Sequence, residues 1–244
     1  MTSFKRLGIC WGLGVGMFLL RFSQNRFAFD PETGLYTRGT AGIALGILVA
    51  VSLVLSFLFS WFGNKERPPF SEHFSAPDRS TLLLVSSAFL FVGGGIFIGM
   101  DALSATMRVA PLVTAALAVL SGVTVLLLTR QLRNGRTPSI LLTLPLLFFV
   151  AFWTLTLYLP AASDPVLARY YLPILAAAVS AYAIAQFSGF FRNETRVRMF
   201  RFTASYAVTL CIASVAECNG HSLLFLACAL FLSVFLGLEN NTTK

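Results

Sequence analysis

Charge is scarce in this chain, and the places where it is missing carry information. Charged residues make up 11% of the 244 positions, and no Asp, Glu, Lys or Arg lies near the middle of any of its long apolar runs. That argues against a proton-driven pump, which would carry a carboxylate at that depth. Cysteine is also sparse: Cys10, Cys211, Cys218 and Cys228 fall within or at the ends of apolar runs, and no C-x-x-C pair occurs. A secreted disulfide framework and a thiol-redox or zinc pair are thereby excluded, and buried, inert thiols are expected. No H-E-x-x-H, G-x-S-x-G, P-loop or EF-hand pattern is present. No residue is assigned a catalytic role, and neither a cofactor nor a metal is expected.

What the chain has instead is hydrocarbon. Hydrophobic residues make up 57% of it and the mean hydropathy is +0.78, more apolar surface than a soluble domain of this length can hide. Several uncharged runs approach or exceed the ~20 residues needed to cross a bilayer, and a lipid-facing backbone must satisfy its own hydrogen bonds. The expected fold is all-α, a polytopic membrane bundle with transmembrane helices over residues 7–22, 40–62, 81–100, 109–129, 138–159, 170–191, 202–216 and 222–238. The first run follows Lys5 and Arg6 like a signal-peptide core, but "RFSQNRF" after it lacks a small-x-small cleavage pattern, so a retained helix is expected. The bundle is expected to be a single transmembrane domain, with no soluble domain. The longest inner loop, Gly63 to Ser80, is short and Pro-rich, and its His73 has no partner at metal-ligand spacing.

Eight spans place both termini on one side. That side collects Lys5, Arg6, Lys65, Arg67, Arg79, Arg130, Arg133, Arg136, Arg192, Arg196, Arg198, Arg201 and Lys244, which is 13 of the 18 basic residues, against 5 of the 10 acidic ones. The other side has 5 of each, so the whole formal charge of +8 lies on one face. The positive-inside rule makes that face cytoplasmic, giving a plasma-membrane protein with both termini inside. A nucleic-acid partner is excluded by the same segregation, since the bilayer is partner enough for a juxtamembrane basic face. "RQLRNGR" and "FRNETRVRMFR" could in addition dock a membrane or cytoplasmic protein.

Helices in lipid associate through close backbone approach and interhelical polar contacts. Gly8, Gly12 and Gly16 form a double GxxxG on the first helix; Gly42 with Gly46 and Gly95 with Gly99 repeat the spacing on the next two, and Ala177, Ala181, Ala185 and Gly189 repeat it on the sixth. All are expected at helix contacts. Pro145 and Pro173 fall inside the fifth and sixth spans and are expected to kink or open them.

The chemically suggestive positions lie at the outer boundary. Only 14 residues separate Arg6 from Arg21, and 15 separate Arg201 from Glu217. At 1.5 Å per residue such runs cover roughly 21–23 Å of a ~30 Å hydrocarbon layer. Arg21 and Glu217 are therefore expected to face inward and pair, with His221 and Asp101 sharing an outer-face polar cluster. "ECNGH" contains Glu217, Cys218 and His221, but a metal site would need further ligands such as Asp101 or Asp164. The turn-rich "FAFDPETGLYTRG" is the longest outer loop, and Phe29, Asp30, Glu32 and Tyr36, with Phe27 and Leu35, are expected to close over the pair as a lid.

Together with the residues before it, this loop reads "RFSQNRFAFDPETGLY" from Arg21 to Tyr36. It resembles a type of uncharacterised bacterial multi-pass membrane protein in which an F-D-P-x-T-G-L element follows the first span. The resemblance implies a bacterial plasma membrane and brings no activity with it. The expected function is that of an accessory, sensory or scaffold component with an outward polar surface, the alternative being a small permease or substrate-capture subunit. An outward pocket lined by aromatic and charged groups would favour the alternative.

Overall fold

An apolar solvent leaves a backbone no hydrogen-bond partner but itself, and every regular element among the described residues is helical. The computed structural model describes residues 3–27, 40–61, 78–104, 109–134, 138–163, 170–192 and 196–238. Its α-helices are α1 (Ser3–Phe27), α2 (Thr40–Trp61), α3 (Asp78–Ser104), α4 (Val109–Arg133), α5 (Leu144–Ser163), α6 (Tyr171–Gly189), α7 (Val197–Ser214) and α8 (Gly220–Leu238). Short 3-10 turns precede α5 (Ile140–Leu142) and follow α6 (Phe190–Arg192) and α7 (Val215–Glu217). Eight spans among the described residues are long and apolar enough to cross a membrane, a set compatible with a multi-pass membrane protein.

The helices do not stop where the uncharged runs stop. α1 has 25 residues, and the span formed by α7 and its 3-10 turn has 21, from Val197 to Glu217. At 1.5 Å per residue α1 alone reaches about 37 Å. Neither helix is short, and the length argument built on the runs fails. Arg21 and Gln24 lie buried along α1, and Arg201 along α7, so these charged and polar groups face protein and do not end their helices. Pro145 and Pro173, like Pro111, lie in the first turns of their helices, where an amide N–H would have no helical acceptor. The span expected over residues 138–159 breaks ahead of Pro145: Thr143 closes the 3-10 turn by donating from N and Oγ1 to the Ile140 carbonyl, and α5 starts afresh.

The centre of the bundle is α7, buried without a break from Thr203 to Ser214. A helix buried all round must be a central one, and α7 packs against α1, α2, α6 and α8. Its small residues, among them Ala204, Ala207, Ala213 and Ser214, let those neighbours approach. α8 packs on α7 and against α3, while α3, α4, α5 and α6 each pack on the next in turn. Ile43, Phe89, Phe148 and Leu159 are among the large apolar side chains on the outward faces.

Glycine positions show which faces meet. A Cβ on Gly95 would come 2.8 Å from the Ala115 carbonyl oxygen, and one on Gly122 equally close to that of Ala88. α3 and α4 therefore touch backbone to backbone, with Gly99 in ordinary contact with Ala115. On α1 the touching glycine is Gly14, whose Cβ would meet Ile212 at 2.8 Å. A Cβ on Gly8, Gly12 or Gly16 would meet no atom of another described element within 4 Å, nor would one on Gly46 of α2, while Gly42 is half-buried. The expectation that these glycines form helix contacts is corrected for the α1 stripe and for Gly46. A GxxxG stripe lies on one face of a helix, and here α7 approaches the opposite face.

Polar bonds cross between helices at intervals. Trp11 Nε1 donates to Ser233 Oγ (3.0 Å), Ser87 Oγ to the Ala227 carbonyl (2.9 Å) and Thr209 Oγ1 to the Cys10 carbonyl (3.3 Å). Such contacts average about 0.6 kcal/mol each in membrane bundles. Their value is in fixing register, since apolar packing alone leaves helices free to slide.

Candidate functional site

One end of the bundle gathers the C-terminal half of α1, the ends of α5 and α7, and the starts of α6 and α8. The chain makes the α7–α8 connection tightly. Val215–Glu217 is a 3-10 turn, and Cys218 then takes a left-handed conformation (φ 51°, ψ 37°), the one positive φ at a non-glycine among the described residues. Asn219 opens α8: its Oδ1 accepts from His221 N (3.1 Å), and its own N–H donates to Ser222 Oγ (3.1 Å). This reciprocal cap satisfies amides that a helix start leaves orphaned. Asn25 Nδ2 donates to the Ala216 carbonyl (3.3 Å) and ties the turn to α1.

The connection presents Glu217 to Arg21. Arg21 is fully buried, and its Nε and Nη2 both donate to Glu217 Oε1, at 2.9 and 2.7 Å. Nη1 donates to Gln24 Oε1 (3.0 Å), one turn further along α1, and the Tyr171 ring lies 5.8 Å from the guanidinium carbon. Both bonds to Glu217 converge on a single oxygen. Glu217 is 14% exposed, and Oε2 makes no hydrogen bond with any described residue. Breaking a buried pair strands its partner at a cost of about 3–5 kcal/mol.

His221 is placed differently from expectation. Its partner is Trp153 of α5, whose Nε1 donates to His221 Nδ1 at 3.1 Å, with the rings stacked at 6.3 Å. An indole N–H can only donate, so Nδ1 carries the lone pair and the imidazole hydrogen sits on Nε2. Trp153 is completely buried and packs on Phe149 (5.6 Å) and Phe225 (4.6 Å). Asp101 is exposed near the end of α3 and joins neither the Arg21–Glu217 pair nor the Trp153–His221 pair, although its carboxylate is close enough to act electrostatically on His221.

Beside these pairs lies a partly open cleft of about 260 Å³, lined by Thr156, Tyr170, Ile174, Glu217, His221 and Phe225, among others. Arg21 is sealed behind Glu217. The lid residues Phe29, Asp30, Glu32 and Tyr36 lie outside the described residues, as do Asp164 and His73, while Phe27 at the end of α1 is 80% exposed. No three His, Cys, Asp or Glu side chains converge as metal ligands among the described residues.

The sequence drew attention to Arg21, Glu217 and His221 but not to Gln24, Trp153 or Tyr170. Gln24 had a signal, its i+3 spacing from Arg21. Trp153 had none, because a Trp in an apolar run looks the same whether it faces lipid or protein.

Comparison with protein-family models, with curated proteins and with solved structures finds no match. The geometry of the site is what a functional reading rests on.

Proposed function

We propose that this chain is a multi-pass plasma-membrane protein that captures a small molecule in the cleft between α5, α6 and the α7–α8 turn, as a small permease or the substrate-capture subunit of a transporter. The observation that carries the reading is the cleft wall: a carboxylate with one oxygen unengaged, an imidazole with one N–H to give, and the aromatic rings of Tyr170 and Phe225. Small-molecule sites combine such apolar lining with a few convergent polar groups. The volume of about 260 Å³ is just below the ~300–1,000 Å³ of typical sites and suits a compact ligand. An accessory or scaffold role is the weaker reading, because it leaves this cleft without a use.

The asymmetry of 13 basic residues against 5 supports both termini being cytoplasmic and the cleft facing outward. The F-D-P-x-T-G-L resemblance supports a bacterial membrane. Cys218, exposed beside Glu217, gives a native handle, since Cys10, Cys211 and Cys228 are buried. An impermeant maleimide should label Cys218 in intact cells, and small molecules from growth medium (below about 1 kDa) should slow that labelling. Protection should vanish in Ile174→Trp, which fills the cleft. Labelling of Cys218 only after lysis overturns the orientation, and protection that survives Ile174→Trp overturns capture in this cleft.

A further inference from the structure

The chemistry of the cleft wall points further, to the class of molecule it takes. Building on the capture reading, we propose that the ligand is a small organic cation carrying a hydrogen-bond acceptor close to its charge. Glu217 is the one charged group among the described residues that line the cleft. Its Oε1 is committed to Arg21, and Oε2 is not. An anion would find its counter-charge hidden, since Arg21 is fully buried and already holds Glu217 and Gln24. To reach the guanidinium it would have to displace a charge-assisted bond of 2.7 Å. A cation meets a carboxylate oxygen directly, and Asp101 adds a second negative charge nearby, close enough to act on His221.

The remaining wall fits the same ligand. Tyr170 and Phe225 are among the lining residues, and aromatic rings attract cations once water is excluded. His221 offers Nε2–H, because Trp153 occupies Nδ1. The acceptor of the ligand takes that hydrogen while its ammonium sits against Glu217 Oε2. Arg21 in turn holds the carboxylate in place from behind, so that the site is built before the ligand arrives.

The test uses the full chain in a maltoside detergent and four probes read by calorimetry: choline, tetramethylammonium, the neutral isostere 3,3-dimethylbutan-1-ol, and 3-hydroxybutyrate as the anion. Choline should bind about tenfold or more tighter than its neutral isostere, the usual order for one charge-assisted contact. It should also bind tighter than tetramethylammonium, which lacks the acceptor. His221→Phe should remove the advantage of choline over tetramethylammonium and leave tetramethylammonium itself unchanged. Glu217→Gln should lose both cations; should that variant misfold with Arg21 stranded, the double variant Arg21→Gln with Glu217→Gln serves in its place. Binding of the neutral or anionic probe as tight as that of choline overturns the cation assignment and leaves capture standing. So does the failure of every probe while growth medium still protects Cys218. Failure of both experiments overturns capture itself.

Discussion

α7 and α2 invert the order that a water-soluble protein would show. The α2 span has a mean hydropathy of 2.6 and only 17% of it is buried, whereas the span from Val197 to Glu217 has a mean hydropathy of 1.4 and is 83% buried. In water the greasier helix would go inside. In lipid the solvent is itself hydrocarbon, and a Leu gains nothing by leaving it; what gains is a small or polar residue that lets a neighbour come close or takes its hydrogen bond. α2 obeys the same rule on the scale of one face. It buries Leu45, Ser52, Ser56 and Ser60 and exposes Ile43, Val54, Phe57 and Trp61. The serines recur every four residues, and the last donates to the Arg198 carbonyl on α7.

Three measurements would break or sharpen this contrast, each read as unfolding free energy in detergent. The largest effect belongs to the polar terminus of the α7 span. Arg21→Ala should cost about 3–5 kcal/mol by stranding Glu217, and the loss in the double variant with Glu217→Ala should be well below the sum of the single losses. Strict additivity across that cycle would mean that the pair does not hold the bundle together. Next come matched alanines. Ala207, fully buried on α7, should tolerate leucine badly, at about 1–3 kcal/mol. Ala50, exposed on α2, should accept it within about 0.5 kcal/mol. Equal losses at the two sites would show that α2 is covered in a way the fold does not explain. The smallest effect is Ser60→Ala, expected to cost about 0.6 kcal/mol for one interhelical bond. A loss several times larger would make the serine face of α2 a principal anchor.

The same physics explains which parts of the molecule could be read from the chain alone. Eight helices are visible because long uncharged runs, of the kind a bilayer demands of a spanning segment, leave little choice of secondary structure. Their ends are not legible where Arg21 and Arg201 interrupt a run, since a charge held inside a bundle does not stop a helix. Arg21 and Glu217 came to notice through run lengths that do not correspond to helix lengths, and the structure places them 2.7 Å apart. Gly8, Gly12 and Gly16 advertised a smooth face without saying which neighbour would use it, and none of the described elements does. Trp153 was invisible for the complementary reason. Its significance lies entirely in His221, 68 positions away in the chain.

The partners of α1 have a consequence for the order of events during synthesis. Arg21 meets Glu217 across 196 positions of sequence, Cys10 meets Thr209 across 199, and Trp11 meets Ser233 across 222. Among the described elements, the one made first is thus completed by the two made last. At roughly 5–20 residues per second, Arg21 spends on the order of 10–40 s without its carboxylate. For that interval the guanidinium lacks Glu217, and the contacts that seat α1 against α7 and α8 cannot form. A chain that terminated before α7 would never form them, and an Arg21 without Glu217 would mark that chain as unfinished.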